Sequence, residues 1–509
     1  MSFNWKKLQN GSDIRGVALT GVAGQEINLD ANVVKQLGFA FYQWLKQKNT
    51  GKQELKVAVG MDSRLSGPDL KAAFIDALVC AGAEVLDCGM ASTPAMFMST
   101  VTPPYNADGA VMLTASHLPF NRNGLKFFTP EGGLEKQDIT NILALAEEGN
   151  TPEQTAKGQC SSVDFIDVYS NILVDKIKKE VNSSDNYDQP LSGFKMVVDA
   201  GNGAGGFYAH KVLEVLGADV KGSQFLDPDG RFPNHVPNPE DAVAMKSICD
   251  AVKQHQADLG IIFDTDVDRA AIVDEKGNPV NRNALVALSA AIVNEEHPGS
   301  VIVTDSITSD GLGWFINDVL QAKHHRFKRG YKNVINEAIR LNNTGQESWL
   351  AIETSGHAAL KENYFLDDGA YLVTKMVIKM AQLKAKGQSL TSLIEQLPVP
   401  AESKEFRINI ETEDFKSHGE KVISALGLFA ATKTGWELVP NNYEGVRVSV
   451  RSAKVNGWFL LRLSLHDPVI PLNIESDQEG GVEIIAETLI EFFETFSNLD
   501  LKSLKNRAL

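Results

Sequence analysis

Cysteine is scarce: four in 509 residues (Cys80, Cys88, Cys160 and Cys249), none with paired metal-ligand spacing. That excludes a disulfide-built scaffold and a cysteine-ligated zinc site. Long apolar runs are also missing, since no segment approaches the roughly 18 uninterrupted apolar residues of a membrane-spanning helix. Residues 1–13 contain no apolar stretch of the kind a secretory leader carries, so the expected compartment is the cytoplasm. A basic surplus is absent as well. With 49 Lys and Arg against 65 Asp and Glu, the net charge of -16 argues against nucleic acid or an anionic membrane as partner. Any phosphate ligand must then be held by locally gathered cations. What the chain does have is core material, 43% hydrophobic residues, enough for three or four domains at about 150 residues each.

Three times the chain repeats one order: apolar strand, helical stretch, second strand, second helix, then a third strand that runs into a polar loop. The opening strands are expected at 55–60, 194–199 and 300–304, and the closing strands at 109–113, 259–263 and 349–352. Continuous valine and isoleucine without alternation predicts buried parallel strands. The loops after the closing strands are Thr114-Ala115-Ser116-His117, 264–269, and Glu353-Thr354-Ser355-Gly356-His357. In open α/β sheets ligands bind beyond the carboxyl ends of strands, so equivalent loops predict a shared site. Polar or proline-bearing linkers fall at 147–158, 181–193, 295–299 and 397–404. The last part differs, with strands expected at 405–410 and 457–465 and a helix at 482–496. The fold expected is α/β: three tandem repeated domains with mixed, mostly parallel sheets, bounded at 1–155, 156–280 and 281–400, plus an α+β domain over 401–509.

Asp264, Asp266 and Asp268, spaced two apart, follow the apolar run at 259–263. Crowded carboxylates raise one another's pKa unless a cation sits among them, and hard Mg2+ prefers oxygen ligands. With Glu275, they also fit positions 1, 3, 5 and 12 of an EF-hand calcium loop. That reading fails because Arg269 replaces the turn glycine and strands replace the flanking helices. Ser116 lies where a strand meets a tight turn, followed by Leu118-Pro119 and Asn123-Gly124-Leu125-Lys126. A serine there is usually only a loop serine. As a nucleophile it needs a proton acceptor, or must already carry the group it transfers, and cations stabilise a phosphoserine dianion.

The Ser116 loop resembles the phosphoserine signature of the α-D-phosphohexomutases, the phosphoglucomutases and phosphomannomutases. The resemblance spans nearly the whole chain. It takes in Ser12-Asp13-Ile14-Arg15-Gly16, Gly60-Met61-Asp62-Ser63-Arg64, Thr93-Pro94, Asp229-Gly230-Arg231-Phe232-Pro233, Pro237-Asn238-Pro239, 264–269, Gly330-Tyr331-Lys332 and Ser355-Gly356-His357. It implies four domains around a central cleft, carrying in order the phosphoserine, metal, sugar and phosphate loops. It also implies reversible conversion of hexose 1-phosphate to hexose 6-phosphate, of mannose or glucose, through phospho-Ser116 and a hexose 1,6-bisphosphate that also serves as activator. Mg2+ is implied between Asp264, Asp266, Asp268 and the phosphorylated Ser116. Lys126, Arg15 and His357 are implied in proton exchange. Lys126 is the preferred acid/base, on the expectation that flanking cations lower its pKa.

Arg269 either secures the loop or the phosphate, or is the structural counterion of three aspartates. Alternation of Glu353, Ser355 and His357 in an extended loop would turn all three toward the sugar hydroxyls. Lys332, Arg462, Ser464 and His466 complete the substrate-binding set, with His117 and Arg64 in support.

The resemblance weakens in the fourth domain. The family's Arg-Pro-Ser-Gly-Thr-Glu-Pro loop reads Arg462-Leu463-Ser464-Leu465-His466-Asp467-Pro468 here, and Leu118 stands where the family has asparagine. Two rival readings remain: a synthase that releases hexose 1,6-bisphosphate, and a non-catalytic sugar-phosphate sensor. The partner expected is a small sugar phosphate, and the state a monomer or small homo-oligomer.

Overall fold

In the computed structural model, which describes residues 3–150, 158–464 and 467–506, the uncharged run Val57-Ala58-Val59-Gly60 is fully buried in the middle of a mixed sheet. The strands are β1 (Asp13–Val17), β2 (Lys56–Met61), β3 (Glu84–Met90), β4 (Gly109–Leu113), β5 (Arg122–Thr129) and β6 (Gln159–Ser162), running across the sheet as β1-β5-β4-β2-β3-β6. β2 pairs in parallel with β3 and β4, and β3 with β6, whereas β5 is antiparallel to both β1 and β4. Helices α1 (Ala31–Lys48), α2 (Gly67–Cys80), α3 (Thr93–Val101), α4 (Lys136–Glu148) and α5 (Phe165–Val181) accompany these strands. α1 starts where Asp30 accepts from Val33 N at 2.9 Å. It buries Val34, Leu37, Phe41 and Leu45, the three-and-four spacing of one helix face. Phe41 of α1 meets Phe127 of β5 with ring centroids 4.8 Å apart, and Phe74 of α2 lies 6.2 Å from Phe41. This aromatic cluster fixes β5, the strand that carries Lys126, against the helices. Each buried ring contributes about 1.5–3 kcal/mol of transfer free energy.

The next repeat has β7 (Met196–Asp199), α6 (Ala242–His255), β8 (Leu259–Phe263), β9 (Ala270–Val273) and the short β10 (Pro279–Val280). Their order is β10-β9-β8-β7, with β8 parallel to β7 and antiparallel to β9. Its expected second strand is reduced to two isolated bridges, Lys195 to Asp219 and Asp199 to Gln224. The third repeat has β11 (Val301–Thr304), α7 (Asp310–Trp314), β12 (Lys323–Arg326), α8 (Tyr331–Asn343) and β13 (Ser348–Ile352). β11 pairs in parallel with both β12 and β13. Beyond it come the hairpin β14 (Ala358–Leu360) and β15 (Leu366–Asp367), then α9 (Gly369–Lys384).

The C-terminal module is antiparallel throughout its sheet. Its elements are β16 (Glu402–Ile410), α10 (Phe415–Ala430), β17 (Trp436–Leu438), β18 (Val446–Arg451), β19 (Asn456–Leu461), β20 (Val469–Ser476), α11 (Gly481–Phe493) and β21 (Leu499–Asp500). The strand order is β17-β18-β19-β20-β16-β21. Here β16, β19 and α11 occupy the stretches expected from the sequence. β19 ends at Leu461 rather than 465, because Ser464 N already donates to Val469 O as the chain turns. Among the described residues no helix is long and apolar enough to cross a membrane.

By its contacts the chain divides into two compact units, Met1–Leu285 with Ser355–Ser392, and Val286–Thr354 with Leu393–Leu509. Within the second, a buried arginine joins the third repeat to the C-terminal module. Arg447 of β18 donates to the carbonyls of Ser306 (2.9 Å) and Thr308 (3.0 Å) and to Asp310 (2.9 Å), and its guanidinium stacks 3.6 Å from the Trp458 ring centroid. Trp458 Nε1 in turn donates to Glu475 Oε1 at 2.8 Å. Burial pushes the Glu475 carboxyl from 4.5 up to about 7, against the opposing pull of Trp458 and Arg447. The folded state thus holds this proton more tightly than the unfolded chain, so the associated stability is present below pH 4.5 and lost as pH rises through 7. Glu475→Gln keeps an oxygen for Trp458 and removes that loss. It is expected to stabilise the protein by about 3 kcal/mol at pH 8 and by less than about 0.5 kcal/mol at pH 4.5. Thermal midpoints across this window check it, and a gap that does not widen with pH refutes it.

Candidate active site

The turn after β4 is held in a conformation that an isolated chain would avoid. Ser116 has φ +50, uncommon for a residue with a Cβ, and is almost wholly buried. What over-determines it is Arg64, whose guanidinium donates to the carbonyls of Leu118 (2.6 Å), Pro119 (2.8 Å), Arg122 (2.9 Å) and Ser116 itself. Arg15 on β1 donates from Nη1 to Ala115 O at 2.7 Å and from Nη2 to Asp13 at 3.0 Å. Gly124 of β5 is required at this junction, since a Cβ there would lie 2.2 Å from Ile14 O and 2.8 Å from Thr114 O. The two arginines thus grip the loop backbone and leave the serine hydroxyl facing the second loop. Ser116 Oγ donates to Asp264 Oδ2 at 3.0 Å and accepts from Arg269 Nη2 at 3.1 Å.

That second loop, 264–269 between β8 and β9, is fastened on three sides. Ala204 N donates to Thr265 O (2.8 Å), Thr93 N to Asp266 O (2.8 Å) and Gly369 N to Val267 O (3.0 Å). Val267, at φ +68, is strained for a β-branched residue and turns its two flanking aspartates to one side. Asp264, Asp266 and Asp268 are each 0% exposed and present oxygens within 4.8 Å of one another. Oδ1 of Asp266 and Oδ1 of Asp268 have no hydrogen-bond partner among the described residues. An all-oxygen donor set with unspent lone pairs fits a hard divalent cation such as Mg2+. The electrostatics agree. Burial, with Asp268 and Asp266 next to it, pushes the Asp264 carboxyl well above the carboxylate range, while Arg269 opposes. Burial acts the same way on Asp268, but Lys126, His357 and Arg269 override it and hold that group low. A cation among the three would keep all of them ionised.

Lys126 on β5 projects into the same carboxylates, with Nζ 3.2 Å from Asp266 Oδ2 and in close contact with Asp268 Oδ2. Two carboxylates thus contact this lysine, partners that the sequence reading did not name, and the register of β5 against β4 places it beside the aspartate loop. His357 donates from Nδ1 to Asp367 Oδ2 at 2.6 Å and lies 3.9 Å from Asp268 Oδ1. Burial lowers its pKa, yet Asp367 and Asp268 outweigh that and raise it to about 9, so it is an imidazolium at neutral pH. His117 is the opposite case. Burial first, then Arg269 and Arg15, push it down to about 2, and as a neutral ring its Nδ1 accepts from Arg269 Nη2 at 2.6 Å. The Arg269 guanidinium is 3.0 Å from Asp264 Oδ2 and also reaches Ser116 Oγ.

The loop 353–357 departs from the extended form. Residues 354 and 355 make a turn and Gly356 has φ +96, packed so that a Cβ would lie 2.6 Å from Ala270 O. Simple alternation therefore does not govern where Glu353, Ser355 and His357 point. Ser355 Oγ is buried without a hydrogen-bond partner among the described residues. In the second unit Glu353 Oε1 accepts from Gly330 N at 2.6 Å, at the start of the helix whose first turn carries Lys332. Arg462 lies close enough to Arg329 that burial and this second cation both lower its pKa, an arrangement an anion would relieve. Ser464 Oγ accepts from Asp467 N at 3.3 Å. His466 and the neighbouring Leu465 lie outside the described residues.

Several side chains at the site had no role in the sequence reading. Asp367 orients His357, Asn238 accepts from Arg269 at 3.2 Å, and Thr93 donates to Asp266 at 2.5 Å. Thr93 and Asn238 sit in proline-bearing motifs that stand out in the sequence. Asp367 is marked only by its neighbour Asp368.

Comparison with known proteins gives the same picture. Family models for phosphoglucomutase/phosphomannomutase α/β/α domains I, II and III match residues 6–153, 171–277 and 281–400. A phosphomannomutase/phosphoglucomutase of Pseudomonas putida is 30% identical over 478 residues, covering 94% of each chain. A phosphoglucomutase/phosphomannomutase of Thermococcus kodakarensis is 30% identical over 480 residues, covering 93% of this chain and 96% of the relative. The crystal structure of a family protein from Burkholderia thailandensis superposes with a TM-score of 0.75 at 27% identity, covering 98% of both chains. Three α/β domains in tandem, their matched models and full-length relatives place this chain in the phosphoglucomutase/phosphomannomutase family, and it is a phosphohexomutase.

Proposed function

We propose that the chain interconverts hexose 1-phosphate and hexose 6-phosphate, of glucose or mannose, by way of phosphorylated Ser116 and a hexose 1,6-bisphosphate. The observation that carries this reading is a buried serine hydroxyl 3.0 Å from one of three buried aspartates and 3.1 Å from an arginine. A non-catalytic sugar-phosphate binder has no use for that combination.

In the first half-reaction the P–O bond to Ser116 Oγ breaks and one forms to the free hydroxyl of the sugar phosphate. The hydroxyl loses its proton, and Oγ gains one. Lys126, buried against Asp266 and Asp268, is assigned to take the hydroxyl proton when in its neutral amine form, and His357, protonated against Asp367, to supply the proton that Oγ gains, with Arg15 holding the loop. Arg269 neutralises charge at Oγ. Asp264, Asp266, Asp268 and the phosphorylated Ser116 would hold Mg2+, which would supply the remaining neutralisation on the phosphoryl oxygens. After the bisphosphate turns end for end, its other phosphate returns to Oγ and the isomeric monophosphate leaves. Lys332, Arg462, Ser464 and His466 are assigned to the phosphate that does not react, and Glu353 and Ser355, with His357, to the sugar hydroxyls. We assign the serine, metal, sugar and phosphate loops to segments 1–155, 156–280, 281–400 and 401–509.

The test is turnover of glucose 1-phosphate and mannose 1-phosphate with catalytic hexose 1,6-bisphosphate, before and after stripping by EDTA. Turnover that disappears with EDTA and returns with Mg2+ is expected. Bisphosphate released as the main product would replace this reading with the synthase. Binding of both sugars without any turnover would replace it with the sensor.

A further inference from the structure

Thr93 makes two hydrogen bonds to one residue 173 positions away. Its Oγ1 donates to Asp266 Oδ2 at 2.5 Å and its backbone N–H to Asp266 O at 2.8 Å. Both residues are buried. The first turn of α3 leaves this N–H available. Ser92, the cap, takes Ala95 N on its side chain and Met96 N on its carbonyl, and Pro94 has no N–H. The helix therefore spends its one remaining donor, and the hydroxyl beside it, on Asp266. Asp266 Oδ2 also receives Lys126 Nζ at 3.2 Å, so that oxygen is saturated by donors. Oδ1 of the same carboxylate is buried with no hydrogen-bond partner among the described residues.

We propose that Thr93 is a positioning residue for the cation site: hydroxyl and N–H together lock the Asp266 backbone and rotamer so that Oδ1 alone is presented to the metal. The proposal rests on the reading that Asp264, Asp266 and Asp268 hold Mg2+. A carboxylate held at one oxygen by a neutral hydroxyl keeps its full charge and loses only rotational freedom, which is how partners outside the ligand set raise metal affinity. A salt bridge alone, from the long Lys126, would not fix the plane of the carboxylate. Without the Thr93 hydroxyl, Oδ2 is free to rotate into the site and Oδ1 to leave it.

The experiment measures Mg2+ binding to the full chain by titration calorimetry, with no substrate present, for wild type, Thr93→Val, Thr93→Ser, Thr93→Ala and Asp266→Asn. Thermal midpoints of the metal-free proteins are recorded alongside. Thr93→Val, which keeps the shape and the N–H, is expected to weaken Mg2+ binding 10- to 100-fold. Thr93→Ser, which keeps the hydroxyl, is expected to stay within a few-fold of wild type. Serine and alanine both lack the γ-methyl, so their difference isolates the hydroxyl should the valine variant not fold. Wild-type affinity in Thr93→Val and Thr93→Ala, with binding lost in Asp266→Asn, would overturn the role of Thr93 and leave the metal site standing. Wild-type affinity in Asp266→Asn would overturn the metal reading, and this proposal with it.

Discussion

Ser116→Ala is expected to lower turnover of hexose 1-phosphate by on the order of 10⁴- to 10⁶-fold, the scale seen when a covalent nucleophile is removed. Sugar-phosphate binding should be retained, because the alanine deletes one oxygen and leaves Arg15 and Arg64 on the loop carbonyls. The hydroxyl is a donor to Asp264 and an acceptor from Arg269, so the loss falls on chemistry rather than on loop structure. On the proposed phosphoserine mechanism, the purified wild type should carry phosphate on the peptide containing Ser116. Rapid-quench turnover and phosphopeptide mass spectrometry check both halves. Turnover surviving in Ser116→Ala, or phosphate found only at another residue, would remove Ser116 from the mechanism.

The second large effect is on stability. Arg64→Ala should destabilise the protein by about 3–5 kcal/mol, the usual cost of removing one partner from a buried charge pair. The side chain is 0% exposed, its Nε lies 3.3 Å from Asp62 Oδ2, and its two terminal nitrogens serve four carbonyls in the serine loop. Burial already pushes Asp62 up to about 6 with Arg64 next to it, so without the arginine this carboxyl takes a proton near neutrality. Arg64→Lys should recover only part of the loss, because one ammonium cannot reproduce the planar fork that reaches four acceptors. Urea unfolding gives the difference. A lysine variant as stable as wild type would show that charge, and not the fork, holds the loop. Activity should fall with stability in the alanine variant, since the left-handed backbone at Ser116 loses its main restraint.

Strand positions were the most legible feature. The closing strands expected at 109–113 and 259–263 are observed at those limits, because continuous apolar runs bounded by glycine, aspartate or threonine specify buried strands without reference to distant chain. The second strand of the middle repeat was not legible, since it survives only as two bridges. The loop at 353–357 was misread for a related reason. Alternation predicts facing only in extended backbone, and Gly356 with a positive φ ends that condition. The carboxylate partners of Lys126 were not legible because the aspartates it meets lie 140 and 142 residues further on, and only strand register brings them there. The Arg447 network joining the third repeat to the C-terminal module carries no local sequence signal at all. A buried arginine is recognisable only by the carbonyls it finds.

From residues alone came the kinds of group available and their order along the chain: a serine at a strand end, three aspartates two apart, a histidine after a glycine, and an acidic overall balance. Those follow from local pattern and charge, which do not need a fold to act. Tertiary structure decided which of them meet. It put Ser116 Oγ on Asp264 across 148 residues, left Oδ1 of Asp266 and Asp268 without a hydrogen-bond partner among the described residues, and set surroundings that favour the imidazolium at His357 and the neutral ring at His117. The reason is physical. Hydrogen-bond partners and desolvation act over a few ångströms, and distances of that size between remote segments are set by sheet register and helix packing, not by spacing in the chain.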